Sequence, residues 1–285
     1  MAKRWIESRG VARTASPSPA SPARQVIVFA NRQVPAGAPH ASVAGLVRAK
    51  ELTVPKNKVV PIEEAMSHVR SGMTVAVGGF IGQGDPLTLI DYLKTMDVGD
   101  LTIYENDAGY KERGVVELVK QGKIKKIVAS HIGTTPEIGK AMNEGRLEVE
   151  PTPQGTLAEM MRCGGAGLGG FLTPTGIGTV AEEGKQIIEL GGRKYILVPS
   201  VKTDVAIIRA HAGDTWGNLI YRGTSRNFNV PAATCADFVI AEVENLYTMG
   251  ELDPNAIHTS GIFVDAVVRA NIDYCVIREE AFNGQ

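Results

Sequence analysis

Cysteine is scarce in this chain: Cys163, Cys235 and Cys275 are the only three in 285 residues, far apart and without CxxC spacing. That argues against a disulfide framework and a zinc site, and points to a reduced, cytoplasmic compartment. The five histidines, His40, His68, His131, His211 and His258, show no HxxH or HExxH pairing, so no metal ion is expected. A G-x-S-x-G elbow is absent and no cysteine stands in a recognisable Cys/His context, which leaves the chain without a hydrolase nucleophile. No apolar run approaches the roughly 18 residues of a membrane helix, so no membrane partner is expected. Charge of one sign is lacking too: the formal net charge is -1, which gives neither nucleic acid nor an anionic surface a reason to bind. Small molecules and proteins remain as partners.

What is present is an ordinary apolar fraction of 44%, enough for a sizeable core in one domain. In the first fifty or so residues Lys3, Arg4, Arg9, Arg13, Arg24, Arg32, Arg48 and Lys50 face a single acid, Glu7, amid SPSPASPA and PAGAP. Residues 1–57 therefore read as a disordered leader. An organelle transit peptide shares the basic, acid-poor composition, but these prolines would break the amphipathic helix it needs. Residues 58–275 are expected to form the domain and 276–285 a tail.

From Lys58 onward a grammar of strand, loop and helix sets in. Residues 59–69 read as an amphipathic helix, and 74–77 as a short strand running into Gly78-Gly79-Phe80-Ile81-Gly82-Gln83-Gly84. Asp85 suits an N-cap and Pro86 a first helical residue, with the helix continuing to Lys94. Strands at 101–104, 126–130 and 147–150 follow. Their helices open near Val115, at Thr135-Pro136-Glu137, and at Thr156, where Thr156 and Glu159 spell a T-x-x-E capping box. A charged turn at 182–185, strands at 195–198, 205–210, 219–221 and 238–243, and a short helix near Ala232 lead to a closing segment at 258–268. The alternation implies an α/β fold, a mostly parallel sheet with helices on both faces, whose ligands sit outside the carboxyl ends of the strands. Loop 78–84, Asn106, His131 and Gln154 would meet at that edge.

Seven glycines and no charge mark the run from Cys163 to Thr179, CGGAGLGGFLTPTGIGT. Gly165, Gly167 and Gly170 satisfy G-x-G-x-x-G, but a helix precedes them and a Thr-Pro-Thr turn follows, unlike the strand-loop-helix of a dinucleotide site. The run reads instead as backbone packed closely beside a site. His131 could serve as a general base, although a lone loop histidine is more often structural. Glu105 and Asp107 could pair as acid and base, but are expected to point apart and to serve the loop as caps. The candidate site is rich in backbone amides and in the side-chain amides of Asn106 and Gln154. Such groups hold developing negative charge in acyl transfer and attack nothing themselves.

The segment from Gly78 to Pro86 resembles the G-G-F-x-x-x-G-x-P signature of the alpha subunit of the family I coenzyme A transferases, the 3-oxoacid type. The resemblance continues through SHIGTTPEIGK at 130–140, PQGTLAE at 153–159, GGAG and LTPTGIGT in the glycine run, Arg226-Asn227-Phe228-Asn229, and GIFVD at 261–265. It spans essentially residues 58–270 and is nearest in flavour to bacterial acetate and butyrate–acetoacetate transferases. It implies the coenzyme A transferase fold and coenzyme A as a substrate, with no resident cofactor. It also implies a nucleophile-bearing beta subunit as partner, in a hetero-oligomer with two copies of each chain or more. The reaction implied is ping-pong transfer of coenzyme A between a short-chain acyl-CoA and a carboxylate such as acetoacetate, acetate or butyrate, through a glutamyl-CoA thioester on the partner. By position the resemblance assigns Gly78, Gly79, Phe80, Ile81, Gly82, Gln83 and Gly84 to coenzyme A binding, Gln154, Gly164 and Gly165 to the substrate, and Asn106 to the oxyanion. On this reading a valine at position 79 should block coenzyme A entry while leaving folding largely intact. Val198 stands where the family often has an acid, and Ser260 where it often has proline, departures that bear on substrate choice. Two other readings stay open: a sugar-phosphate isomerase with its acids and lysine in this chain, and a non-catalytic ligand sensor on the same scaffold.

Overall fold

The computed structural model describes residues 57–110 and 113–272, so the leader, apart from Asn57, and the tail expected from the sequence lie outside the described residues. The chain divides into two units, Met1–Leu52 and Thr53–Gln285, and what is described belongs to the second. Its elements in order are α1 (Ile62–Met66), β1 (Thr74–Val77), α2 (Leu87–Thr95), β2 (Leu101–Glu105), α3 (Val116–Lys120), β3 (Ile124–Ala129), α4 (Pro136–Asn143), β4 (Glu148–Pro151) and α5 (Gln154–Gly165). Then come β5 (Gly170–Thr173), β6 (Ile187–Leu190), β7 (Arg193–Pro199), β8 (Thr203–Asp214), β9 (Leu219–Ile220), α6 (Asn229–Cys235), β10 (Ala236–Tyr247) and β11 (Ala266–Arg269).

Val75, Ala76 and Val77 are all fully buried, as successive apolar residues must be in a strand covered on both faces. β1 accordingly lies in the middle of the main sheet, whose order is β11-β10-β8-β1-β2-β3-β4 with β9 beside β8. Every neighbour along that order pairs in parallel, and β9 runs antiparallel to β8. Because side chains alternate along a strand, the two faces carry separate cores. Val75, Val77, Ile103 and Ile207 face Met66, Leu89, Ile90, Leu93, Leu118 and Ile138 of α1 to α4. Ala76, Val128 and Ile208 face Leu157 and Met161 of α5 and Ala232 and Cys235 of α6. Helices thus cover both faces, as the sequence implies.

Four local expectations are corrected. The helix expected over 59–69 shrinks to α1, because Pro61 forces the residue before it into extended backbone, and Val59 instead bridges Val267 in parallel. Pro86, not Asp85, occupies the N-cap of α2, with no side-chain cap bond. Its cap comes from another strand: Glu242 Oε2 accepts the Leu89 N–H at 3.0 Å. The T-x-x-E box caps nothing, since α5 opens at Gln154, Thr156 is buried, and Glu159 is paired with Arg162. Finally, the sheet is not alone: β5, β7 and β6 form a second, antiparallel sheet in that order. Ile196 and Val198 of β7 are buried against Met160 of α5. The hairpin of β6 and β7 turns at Gly191 and Gly192, with φ of 61° and 75°, the positive pair that a two-residue hairpin loop requires.

Gly139 sits inside α4 at ordinary helical φ, and a β-carbon there would meet nothing within 4 Å. Gly139→Ala is expected to raise stability by about 0.5–1 kcal/mol through lost unfolded-state entropy, measured as a higher urea midpoint with an unchanged denaturant slope.

Candidate functional site

At the carboxyl edge the chain leaves β1 into loop 78–84. Phe80 and Gln83 exchange backbone hydrogen bonds of 3.0 Å each, enclosing Ile81 and Gly82 at φ of 47° and 78°. Two positive φ values in a two-residue turn define type I′, and a β-branched residue placed there carries strain. The turn is tied down at that strained residue: the Ile81 N–H donates to Asp107 Oδ2 at 2.8 Å. From α6 and its approach, Asn229 Nδ2 donates to Gly84 O at 3.0 Å and to Ser225 O at 2.9 Å, while its Oδ1 accepts the Arg209 N–H at 2.9 Å. Asn227 Nδ2 donates to Gln83 O at 2.7 Å. A β-carbon on Gly78 would lie 1.9 Å from Asn229 Oδ1, so the close approach of these two segments requires glycine.

Asn106 follows β2 on the face toward α5 and is 1% exposed. Its Nδ2 donates to Asp107 Oδ2 at 2.8 Å, and its Oδ1 accepts from Ser130 Oγ at 2.8 Å and from Gln154 Nε2 at 2.9 Å. Gln154 is the first residue of α5 and is exposed. Asn106, Gln154 and loop 78–84 are thereby brought together, joined through Asp107. His131 is exposed beside them, and its backbone N–H donates to Asn106 O at 3.2 Å. Gly164 and Gly165 are not brought in. They end α5, about 16 Å along the helix from Gln154 at the usual rise per residue, and β-carbons on them would strike Val201 O and Thr234. The front of the glycine run therefore serves packing against the connection between β7 and β8 and against α6 rather than this cluster.

On the opposite face lie carboxyls that the sequence did not single out as a group. Glu105 shares its face with Leu101 and Ile103, and Asp107, two residues on, acts on it through charge. Burial first, then the charges of Asp85 and Asp107, push the Glu105 carboxyl well above its usual range. Asp85 is pushed up to about 7 by burial first and then by Asp107, with Arg209 opposing and Glu242 adding. Asp107 does serve as a loop cap, its Oδ1 accepting the Gly109 N–H at 2.9 Å. Among residues the motifs left unassigned, Asp85, Asp107, Ser130, Arg209 and Glu242 all bear on the site. Asn227 and Asn229 were signalled only as letters of the Arg226-Asn227-Phe228-Asn229 motif. Cys163 and Cys235 are free and buried. Among the described residues no group of three or more His, Cys, Asp or Glu is placed to hold a metal ion, and no helix is long and apolar enough to cross a membrane.

A strained glycine turn and an amide cluster at the carboxyl edge of a parallel sheet suit a site that receives an acyl or phosphate group. Residues 59–270 match the coenzyme A transferase family, and the chain belongs to that family. The alpha subunit of acetate CoA-transferase from Escherichia coli K12 is 46% identical over 213 residues, 75% of this chain and 97% of that protein. The acetoacetyl-CoA:acetate/butyrate CoA transferase alpha subunit of Clostridium acetobutylicum is 41% identical over 213 residues, 75% of this chain and 98% of that one. Glutaconate coenzyme A-transferase from Acidaminococcus fermentans shares the fold, with a TM-score of 0.66 at 23% identity, covering 75% of each chain. So does an acyl-CoA transferase from E. coli O157:H7, solved as a thioester complex with CoA, with a TM-score of 0.67 at 21% identity. The match covers 76% of this chain and 48% of that one, so this chain spans about half the length of that protein.

Proposed function

We propose that this chain is the alpha subunit of a two-subunit, cytoplasmic coenzyme A transferase, moving coenzyme A between a short-chain acyl-CoA and a carboxylate of the acetoacetate, acetate or butyrate type. The observation that carries it is the composition of the cluster: amides from Asn106 and Gln154 and a hydroxyl from Ser130 face one another, while the nearby carboxyls Asp85, Glu105 and Asp107 are buried. Such a site stabilises an oxyanion and leaves the attack to a group from outside. That group is a glutamate of the beta subunit, consistent with the alpha-subunit names of the relatives.

In the proposed reaction the partner's carboxylate attacks the thioester carbonyl and expels coenzyme A thiolate, leaving an acyl-glutamyl anhydride. The thiolate then attacks the glutamyl carbonyl, releasing the first carboxylate product and forming the glutamyl-CoA thioester. The acceptor carboxylate repeats the two steps in reverse. Splitting the exchange in this way replaces one difficult displacement with easier ones and needs no ATP or metal ion. Gln154, held in place by the buried Asn106, offers its amide to the oxyanion, loop 78–84 receives coenzyme A, and no cofactor is resident.

The test is to co-express the chain with the beta subunit of its source organism, add acyl-CoA without acceptor, and look for a borohydride-reducible thioester. The label is expected only on the partner. Turnover by this chain without a partner, or label on this chain, would sink the two-subunit reading.

A further inference from the structure

Asp107 joins the parts of the site, and its chemistry dictates how the others point. Two of its three donors are backbone groups, the N–H of Ile81 on Oδ2 at 2.8 Å and the N–H of Gly109 on Oδ1 at 2.9 Å. Backbone N–H groups cannot reverse, so both oxygens of this 2%-exposed carboxylate are committed as acceptors. Its third partner, the Asn106 side chain 2.8 Å away, must therefore offer Nδ2. A planar amide that turns its nitrogen one way turns its oxygen the other, so Asn106 Oδ1 faces Ser130 and Gln154. Gln154 must then answer an acceptor with a donor, and gives Nε2 at 2.9 Å. An acceptor-only group at the buried end thus fixes two successive amides, and the outermost, Gln154, is exposed.

We propose that Asp107 is a positioning residue for the transfer reaction: through the relay Asp107–Asn106–Gln154 it fixes which way the exposed Gln154 amide faces, and with it the hydrogen-bond donor offered to the reacting acyl or carboxylate oxygen. Each hydrogen bond in such a chain polarises the next, so the carboxylate makes Asn106 Oδ1 the stronger acceptor and holds the Gln154 amide more firmly in place. The Ile81 bond adds a second consequence. The same carboxylate oxygen that directs Asn106 holds the strained turn of loop 78–84, so the coenzyme A loop and the oxyanion donor are set by one atom. The proposal rests on the transferase reading of this site.

The experiment compares Asp107→Asn, Gln154→Glu and the double variant in the complex with the partner. In Asp107→Asn the relay can run in either direction, and kcat is expected to fall on the order of 10- to 100-fold, with KM for acyl-CoA rising as well because an amide nitrogen in place of Oδ2 leaves the Ile81 N–H without its acceptor. Gln154→Glu sets two acceptors against each other while Asp107 holds Asn106, but with Asp107→Asn also present Asn106 is free to turn and donate. The penalty of Gln154→Glu is therefore expected to shrink by about tenfold in the double variant. Independent, multiplicative effects would overturn the relay, because the hydrogen bonds that link residues 107 and 154 run through Asn106.

Side-chain amide exchange in the full chain reads the same relay without turnover. Asp107→Asn is expected to speed exchange at Gln154 Nε2 as well as at Asn106 Nδ2, and an unmoved Gln154 signal overturns the proposal. Should Asp107→Asn fail to fold, Gln154→Glu at the exposed end decides alone. In it Asn106 Nδ2 is expected to stay on Asp107, and its turning toward the introduced carboxylate at position 154 would show that Asp107 is not the anchor. A responsive Gln154 amide in a complex without transferase activity would remove the catalytic use of the relay and the functional reading together, leaving only the geometry.

Discussion

Gly79→Val is expected to cost the chain roughly 3 kcal/mol or more of stability, and to abolish activity by disrupting the loop rather than by filling a coenzyme A channel. Two independent penalties meet at this position. Gly79 has φ of 127°, a region closed to β-branched side chains. A β-carbon there would also lie 2.0 Å from Asp85 Oδ1 and 3.2 Å from Asp85 Cα, well inside contact distance. Asp85 cannot simply swing away, because it is 2% exposed and stands beside Pro86 at the entrance of α2. Accommodating the valine means moving that helix start away from the Glu242 carboxylate that caps Leu89, and a lost cap alone costs about 1 kcal/mol. Urea denaturation of the chain without its partner should show a midpoint far below wild type, with near-complete loss of the complex at ambient temperature. A variant of wild-type stability that no longer binds coenzyme A would restore the channel-blocking expectation drawn from the motif. Gly139→Ala, in open space on α4, is the contrasting case.

The main sheet was legible because its strands obey simple rules. The residues 74–77, 101–104 and 238–243 are apolar runs bounded by turn residues, and each falls within an observed strand. Loop 78–84 was legible as a loop from its glycines, and Gln154 and Asn106 fell at strand ends, which a parallel sheet gathers at one edge. What escaped was everything decided across the sheet. The cap of α2 is Glu242 on β10, 153 residues from Leu89 in the chain, and no local pattern announces it. Thr156 and Glu159 carry the letters of a capping box, yet α5 starts at Gln154 with Pro153 at its N-cap, three residues before the box would place it. The second sheet was missed although Gly191-Gly192 is a hairpin signal; its outer strands are only four residues each, with no fully buried side chain, too short to show alternation. Asp107 was read from the sequence only as a loop cap or as one of an acid–base pair with Glu105. Its importance lies in joining the Ile81 N–H to the Asn106 amide, a relation between two loops that sequence spacing does not encode.

Stability of the chain is expected to fall as pH rises from about 4 to about 7, and Asp85→Asn is expected to remove much of that fall. The Asp85 carboxyl rises from an ordinary 3.8 to about 7 on folding, and Glu105 rises with it for the same reason, burial among other carboxyls. Within that window the folded chain keeps protons that the unfolded chain releases, so raising the pH favours unfolding. Below the unfolded value both states are protonated and the dependence vanishes; above the folded value both are ionised and the full penalty is present. For Asp85 that penalty is on the order of a few kcal/mol, at about 1.4 kcal/mol for each factor of ten in proton affinity. Asp204 works the other way: its bonds to the Thr74 hydroxyl and backbone hold it below the usual range. Its contribution is lost only as pH falls below about 4, outside the window in question. Asparagine at position 85 has the same shape and nothing to titrate, so urea midpoints at about pH 5 and about pH 8 should lie closer together in the variant than in wild type, leaving the share owed to Glu105. An unchanged difference would mean that Asp85 is already ionised in the folded chain. Protonation here has a bearing on the proposed function, since Asp85 lies against Gly79 of the loop assigned to coenzyme A. A neutral carboxyl behind that loop spares the arriving polyanion a repulsion that an ionised one would impose, so the variant should also weaken the pH dependence of KM for acyl-CoA across the same window.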